Sequence, residues 1–106
     1  MEKLIGLLKN FRDKRDWKQF HNPKDLSLAL SIEASELLEI FLWKSHEDAD
    51  VDKVKEELAD VFAYALLIAD AYDLDIEKIV LEKIKKNSDK YPVAKAKGTA
   101  KKYNEL

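Results

Sequence analysis

Ile32-Glu33-Ala34-Ser35-Glu36-Leu37-Leu38-Glu39 is the stretch that decides the fold. At about 100° per residue, Leu26, Leu30, Glu33, Leu37 and Ile40 fall on one helical stripe, so Glu33 stands in the middle of an apolar face. Glu36 lies about 60° round from it, between Ala29, Ile32 and Trp43. A carboxylate taken out of water costs several kcal/mol unless it is paired, protonated or bound to metal. Two of them three residues apart need a shared partner, and a divalent cation is the cheapest one.

The rest of the composition agrees with helices. Among 106 residues, 38% are charged, 46% are hydrophobic, and only two Gly and two Pro break the chain. That balance favours helices on short connections over a sheet, and one modest domain over several. A net charge of -2 gives no reason to expect nucleic acid as a partner. With no cysteine, disulfides and thiolate metal sites are excluded. The start, Met1-Glu2-Lys3-Leu4-Ile5, lacks the apolar run of a signal peptide. No stretch reaches the ~18 apolar residues of a membrane span. The expectation is a soluble cytoplasmic protein with no membrane partner.

The spacing predicts four helices. The first covers 2–15, with Leu4, Leu7, Leu8 and Phe11 inward and Lys3, Lys9, Arg12 and Lys14 elsewhere. Asp16 to His21 connects it to a second, started by Asn22 as cap and Pro23 at the first turn and running to about Trp43. Asp50 caps a third, whose stripe is Val54, Leu58, Val61, Ala65, Ile68 and Tyr72. Asp75 caps a fourth, Ile76 to about Asp89, with Ile76, Ile79, Val80 and Ile84 inward. Pro92 stops it, and turns with irregular structure are expected from Val93 onward. The fold class is therefore all-α, a four-helix bundle-like subunit. Its apolar Phe62, Leu66 and Tyr72 call for cover, so a homo-oligomer, dimer or tetramer, is expected.

Glu57 and Asp60 repeat the three-residue spacing on the third helix. Glu57 is on the shoulder of the apolar stripe and Asp60 sits beyond it, where it could be a surface residue; for the pair, a plain solvated role stands level with a functional one. Short connections pack the two long helices antiparallel, so with slight stagger four carboxylates can converge. Oxygen-only clusters suit Mg²⁺, with Mn²⁺ as the alternative. A di-iron bundle would want Glu-x-x-His pairs. The two histidines, His21 and His46, follow Lys18 and Trp43 at that spacing instead. Of the two tryptophans, Trp43 fits core packing and Trp17 stands in a polar connection, while His21 suits a capping or surface place.

The order Glu33-x-x-Glu36, then Glu57-x-x-Asp60, resembles the all-α nucleoside triphosphate pyrophosphatases of the MazG type, closest to their dCTP pyrophosphatase branch. Supporting segments are Arg15-Asp16-Trp17-Lys18-Gln19-Phe20-His21, Phe41-Leu42-Trp43-Lys44-Ser45, Asn87-Ser88-Asp89-Lys90-Tyr91-Pro92-Val93 and Lys95 to Tyr103. The resemblance spans nearly the whole chain. It implies Mg²⁺-dependent hydrolysis between the α- and β-phosphates, with Glu33, Glu36, Glu57 and Asp60 as metal ligands. It further implies Trp17 and Trp43 beside the base, with Tyr64 lining the pocket and His21 a weaker candidate there. Lys83, Asn87 and Tyr91 would face the phosphates. Of the acids, Glu36 and then Glu33 are the candidates for orienting the attacking water. The chain departs from the pattern in its short connection after Trp43 and in Lys90, where an Arg is usual. Two rivals stay open: a sibling enzyme for dUTP, phosphoribosyl-ATP or non-canonical purine triphosphates, and a non-catalytic helical module using its acids for partner contacts or metal storage.

Overall fold

Capping residues set the helix starts. The computed structural model describes Met1–Leu106 and contains only helices and turns. α1 spans Glu2–Lys14, α2 Pro23–Glu39, α3 Val51–Ala71, α4 Ile76–Lys90 and α5 Val93–Ala96, with 3₁₀ turns at Lys18–Phe20, His46–Asp48 and Tyr103–Glu105. Asn22 caps α2 by accepting from the Asp25 N–H at 2.9 Å, with Pro23 in the first turn. Asp50 accepts from the Asp52 N–H at 3.0 Å and Asp75 from the Lys78 N–H at 3.2 Å. Each satisfies a donor that a helix start otherwise leaves unpaired.

Two of the helix ends share one device. After α1, the Trp17 N–H donates to the Arg12 carbonyl at 3.1 Å and the Asp16 N–H to the Asp13 carbonyl at 3.1 Å. After α3, the Leu74 N–H reaches the Ala69 carbonyl at 2.8 Å and the Asp73 N–H the Asp70 carbonyl at 3.0 Å. Both are Schellman turns, with Asp16 (φ 53°) and Asp73 (φ 54°) in the left-handed position that glycine usually fills. Aspartate bears that conformation better than most residues.

The helices fall into two compact units, Met1–Leu74 and Asp75–Leu106. In the first, α2 packs along α3, and α1 lies on α3. Glu33 and Glu36 meet Glu57, whereas Leu26 shares a cavity with Leu67, so α2 and α3 run antiparallel. The buried apolar core is only Leu26, Leu66, Leu67 and Ala69. In the second, α4 carries half-covered Ile76 and Ile79, while Val80 and Ile84 are half exposed. No helix is long and apolar enough to cross a membrane.

Five expectations are corrected. α2 stops at Glu39 rather than near Trp43, because Phe41, Leu42 and Lys44 donate three residues back in successive tight turns. The tail is not wholly irregular: Pro92 fixes the backbone ahead of the one-turn α5, giving five α-helices instead of four. The inward face of α3 excludes Leu58 and Tyr72, which are exposed, and takes in Glu57 and Leu66, so Leu66 is sealed within the subunit instead of awaiting cover from a partner. The inward face of α4 keeps Ile76 and Ile79 alone. On α1 the buried residue is Arg12, while Leu4, Leu7 and Phe11 stay largely open. Rotation of α1 on α3 puts Ile5, Leu8 and Arg12 on the covered side, and helical spacing allows either stripe.

Candidate active site

Antiparallel packing brings Glu33 and Glu36 of α2 against Glu57 of α3, with carboxylate oxygens all within 4.8 Å of one another. Glu33 and Glu57 are half-buried, and one oxygen of each, Oε2, is sealed from water without a hydrogen-bond partner. Burial pushes the Glu33 carboxyl up to about 7, helped by close contact with Glu36 and Glu57 and by the charges of Glu36 and Asp60. Glu57 is also raised, first by burial and then by Glu36. Three acids this close repel one another and lack donors. Their all-oxygen character and the two orphaned oxygens fit a hard divalent cation, and the cluster is able to hold one.

Asp60 stands outside this group. It is exposed and faces a neighbouring cavity of about 260 Å³, whose walls include Trp17, His21, Tyr64, Phe11 and Arg12. Glu57, Asp60 and Tyr64 follow each other at helical spacing, so one face of α3 carries both the acids and the cavity wall. The Tyr64 hydroxyl is raised by burial first, then by the charges of Glu33, Asp60 and Glu36. The His21 ring meets Tyr64 edge-on at 6.4 Å. Burial, then the Arg12 charge, lower His21 and favour its neutral form. Its Nδ1 is sealed and unpaired.

Trp17 owes its place to the Schellman turn at Asp16, which folds it back beside Phe11 with ring centres 5.8 Å apart, edge to face. The Arg15 guanidinium lies 3.7 Å over the Phe11 ring and 5.9 Å from that of Trp17. Trp43 is elsewhere. It sits in the turns after α2 at 94% exposure and with φ 60°. A bulky residue in the left-handed region is strained, and an uncovered indole is costly, so this Trp is no core residue.

Lys83 and Asn87 lie in the second unit, lining an open cavity of about 460 Å³ with Ile79, Val80 and Ile84. Tyr91 follows at the end of α4, its N–H on the Asn87 carbonyl at 2.8 Å and its ring edge-on to Tyr103 at 6.3 Å. The Lys90 ammonium is 5.0 Å over the Tyr103 ring. Thus the structure brings together Glu33, Glu36 and Glu57, and separately Trp17, His21, Asp60 and Tyr64. Sequence reasoning missed Arg12 as a wall of the second group. Its spacing from Ile5 and Leu8 was the available signal.

An acidic cluster between antiparallel helices, beside an aromatic cavity, makes this an all-α protein with a site fitted to a divalent cation. The chain belongs to the MazG-like family, whose model matches residues 28–106. It is 36% identical to dCTP pyrophosphatase 1 of Rattus norvegicus over its full length and 67% of that protein. The figure for dCTP pyrophosphatase 1 of Homo sapiens is 35%, with the same coverage. A crystal structure of a pyrophosphatase from Archaeoglobus fulgidus superposes with a TM-score of 0.79 at 40% identity, covering 87% of this chain and 92% of that one.

Proposed function

We propose that this chain is a nucleoside triphosphate pyrophosphohydrolase acting on dCTP or a modified dCTP, releasing the monophosphate and pyrophosphate. The observation that carries the reading is the trio of crowded carboxylates, two with sealed unpaired oxygens, beside a cavity walled by Trp17 and Tyr64. Relatives named dCTP pyrophosphatase 1 support the substrate.

Glu33, Glu36 and Glu57 would hold Mg²⁺, with Mn²⁺ the alternative, and Asp60 would add its charge from the next turn of α3. When bound, the ion offsets phosphate charge and lowers the pKa of a coordinated water. Glu36 orients the attacking water and accepts its proton; the water oxygen bonds to phosphorus as the α–β anhydride bond breaks and pyrophosphate leaves. Trp17 stacks on the base, and Tyr64 and His21 close the cavity. Trp43 lies away from this cavity, so it would cover the other face of the base only across a subunit boundary or with the first connection folded back, which would relieve its exposure. Lys83, Asn87 and Tyr91 of the second unit would offer donors to phosphate, as the family resemblance implies. A homo-oligomer, dimer or tetramer, covers the apolar surface around a core of four apolar residues. The enzyme works in the cytoplasm.

A panel of nucleoside triphosphates with Mg²⁺, scored for pyrophosphate, tests the proposal. The expected result is release from dCTP well above the rest. Release chiefly from dUTP, phosphoribosyl-ATP or purine triphosphates would reassign the substrate. No release from any would leave a non-catalytic module.

A further inference from the structure

Arg12 is the one buried charged residue, at 8% exposure. A guanidinium withdrawn from water is costly unless its five N–H donors are used. Only Nε is engaged, donating to Asp13 Oδ1 at 2.8 Å. Neither terminal Nη nitrogen has a protein acceptor, and neither is sealed as Glu33 Oε2 is. Arg12 walls the same cavity as Trp17, His21 and Tyr64. The Schellman turn ties Trp17 to it directly, N–H to carbonyl at 3.1 Å. Arg12 also borders a second cavity, with Lys9, Lys18, Asn22 and Asp70, so its guanidinium lies between the two; one turn of chain sets it beside the stacking face of Trp17.

We infer that Arg12 reads the edge of the base and selects cytosine over uracil and thymine, a reading that rests on the nucleotide function proposed above. A guanidinium presents parallel N–H groups to two adjacent acceptors. Cytosine has such a pair, O2 and N3. Uracil and thymine place an N3–H donor between their carbonyls, so the same fork meets one acceptor and one opposing donor. His21 borders the cavity too; since its Nδ1 is sealed, Nε2 is the nitrogen open to a ligand. A site that leaves a buried donor facing another donor rejects that ligand strongly.

Affinities of dCMP and dUMP, read by calorimetry or tryptophan fluorescence, test this without any need for turnover. The wild-type protein is expected to favour dCMP by about tenfold or more, as a bidentate base contact does. Arg12→Lys keeps the charge and loses the fork, and Arg12→Met removes both; each should bring the dCMP-to-dUMP ratio close to one. Circular dichroism checks that the variants keep their helices, and Arg12→Lys serves if Arg12→Met unfolds. A variant that weakens both nucleotides equally would overturn the inference, because a structural or phosphate-binding role moves both alike. Equal wild-type affinities would overturn it as well, whatever the hydrolysis panel gives. Cytosine selectivity lost in the variants, with no pyrophosphate released by the wild type, would uphold the fork and refute the hydrolase.

Discussion

Glu33→Gln should make the metal-free protein more stable at pH 8, although it removes a predicted ligand. The Glu33 carboxyl is raised from 4.5 to about 7 by burial and by its acidic neighbours. A group that holds its proton more tightly folded than unfolded stabilises the fold fully below the unfolded value. That contribution is lost as pH climbs through the folded value. The loss therefore falls between about pH 4.5 and 7. At about 1.36 kcal/mol per pH unit the effect is capped near 3 kcal/mol. Water reaching the open side of the cluster screens part of it, leaving about 1 kcal/mol. In thermal melts with chelator at pH 8 the variant should gain about 4–8 °C per kcal/mol recovered. At pH 4.5 the gap should nearly close. Millimolar Mg²⁺ should raise the wild-type melting temperature more than the variant's, since a ligand that binds only the folded state stabilises it. A variant no more stable than wild type at pH 8, or a gap unchanged at pH 4.5, would refute the crowding argument.

Glu36→Gln and Glu57→Gln should each abolish pyrophosphate release from dCTP while circular dichroism stays unchanged; near-normal turnover in either would remove that acid from the metal site. Trp43→Ala should raise KM about tenfold with a smaller fall in kcat, matching the ~1–3 kcal/mol of a lost base stack. Unaltered KM and unaltered fluorescence quenching by a non-hydrolysable pyrimidine triphosphate would take Trp43 out of the base site. Light scattering at micromolar concentration should give a dimer or tetramer, and a fully active monomer would contradict the covering of the apolar faces.

The starts of α2, α3 and α4 were legible in the sequence because their causes are local. Asn22-Pro23, Asp50 and Asp75 cap their own helices through bonds two or three residues long, and Glu33 falls inside an apolar stripe by angular spacing alone. Its need for a partner follows from desolvation, before any neighbour is known. Which acids meet it was decided only in the tertiary structure. The stagger of α2 on α3 draws Glu57 into the cluster and leaves Asp60 on the wall of the next cavity. No spacing along one helix encodes that stagger, since it depends on how two side-chain surfaces interlock. Arg12 is the sharper case. Alone, α1 has a better apolar stripe turned roughly a quarter-turn away; it is the seat of α1 on α3 that buries the guanidinium and leaves Leu4 and Leu7 open. Trp43 likewise reads as the end of a helix, yet three tight turns carry it out to solvent in a left-handed backbone. Local chemistry wrote the elements, and the packing of one helix on another chose which of their side chains face a ligand.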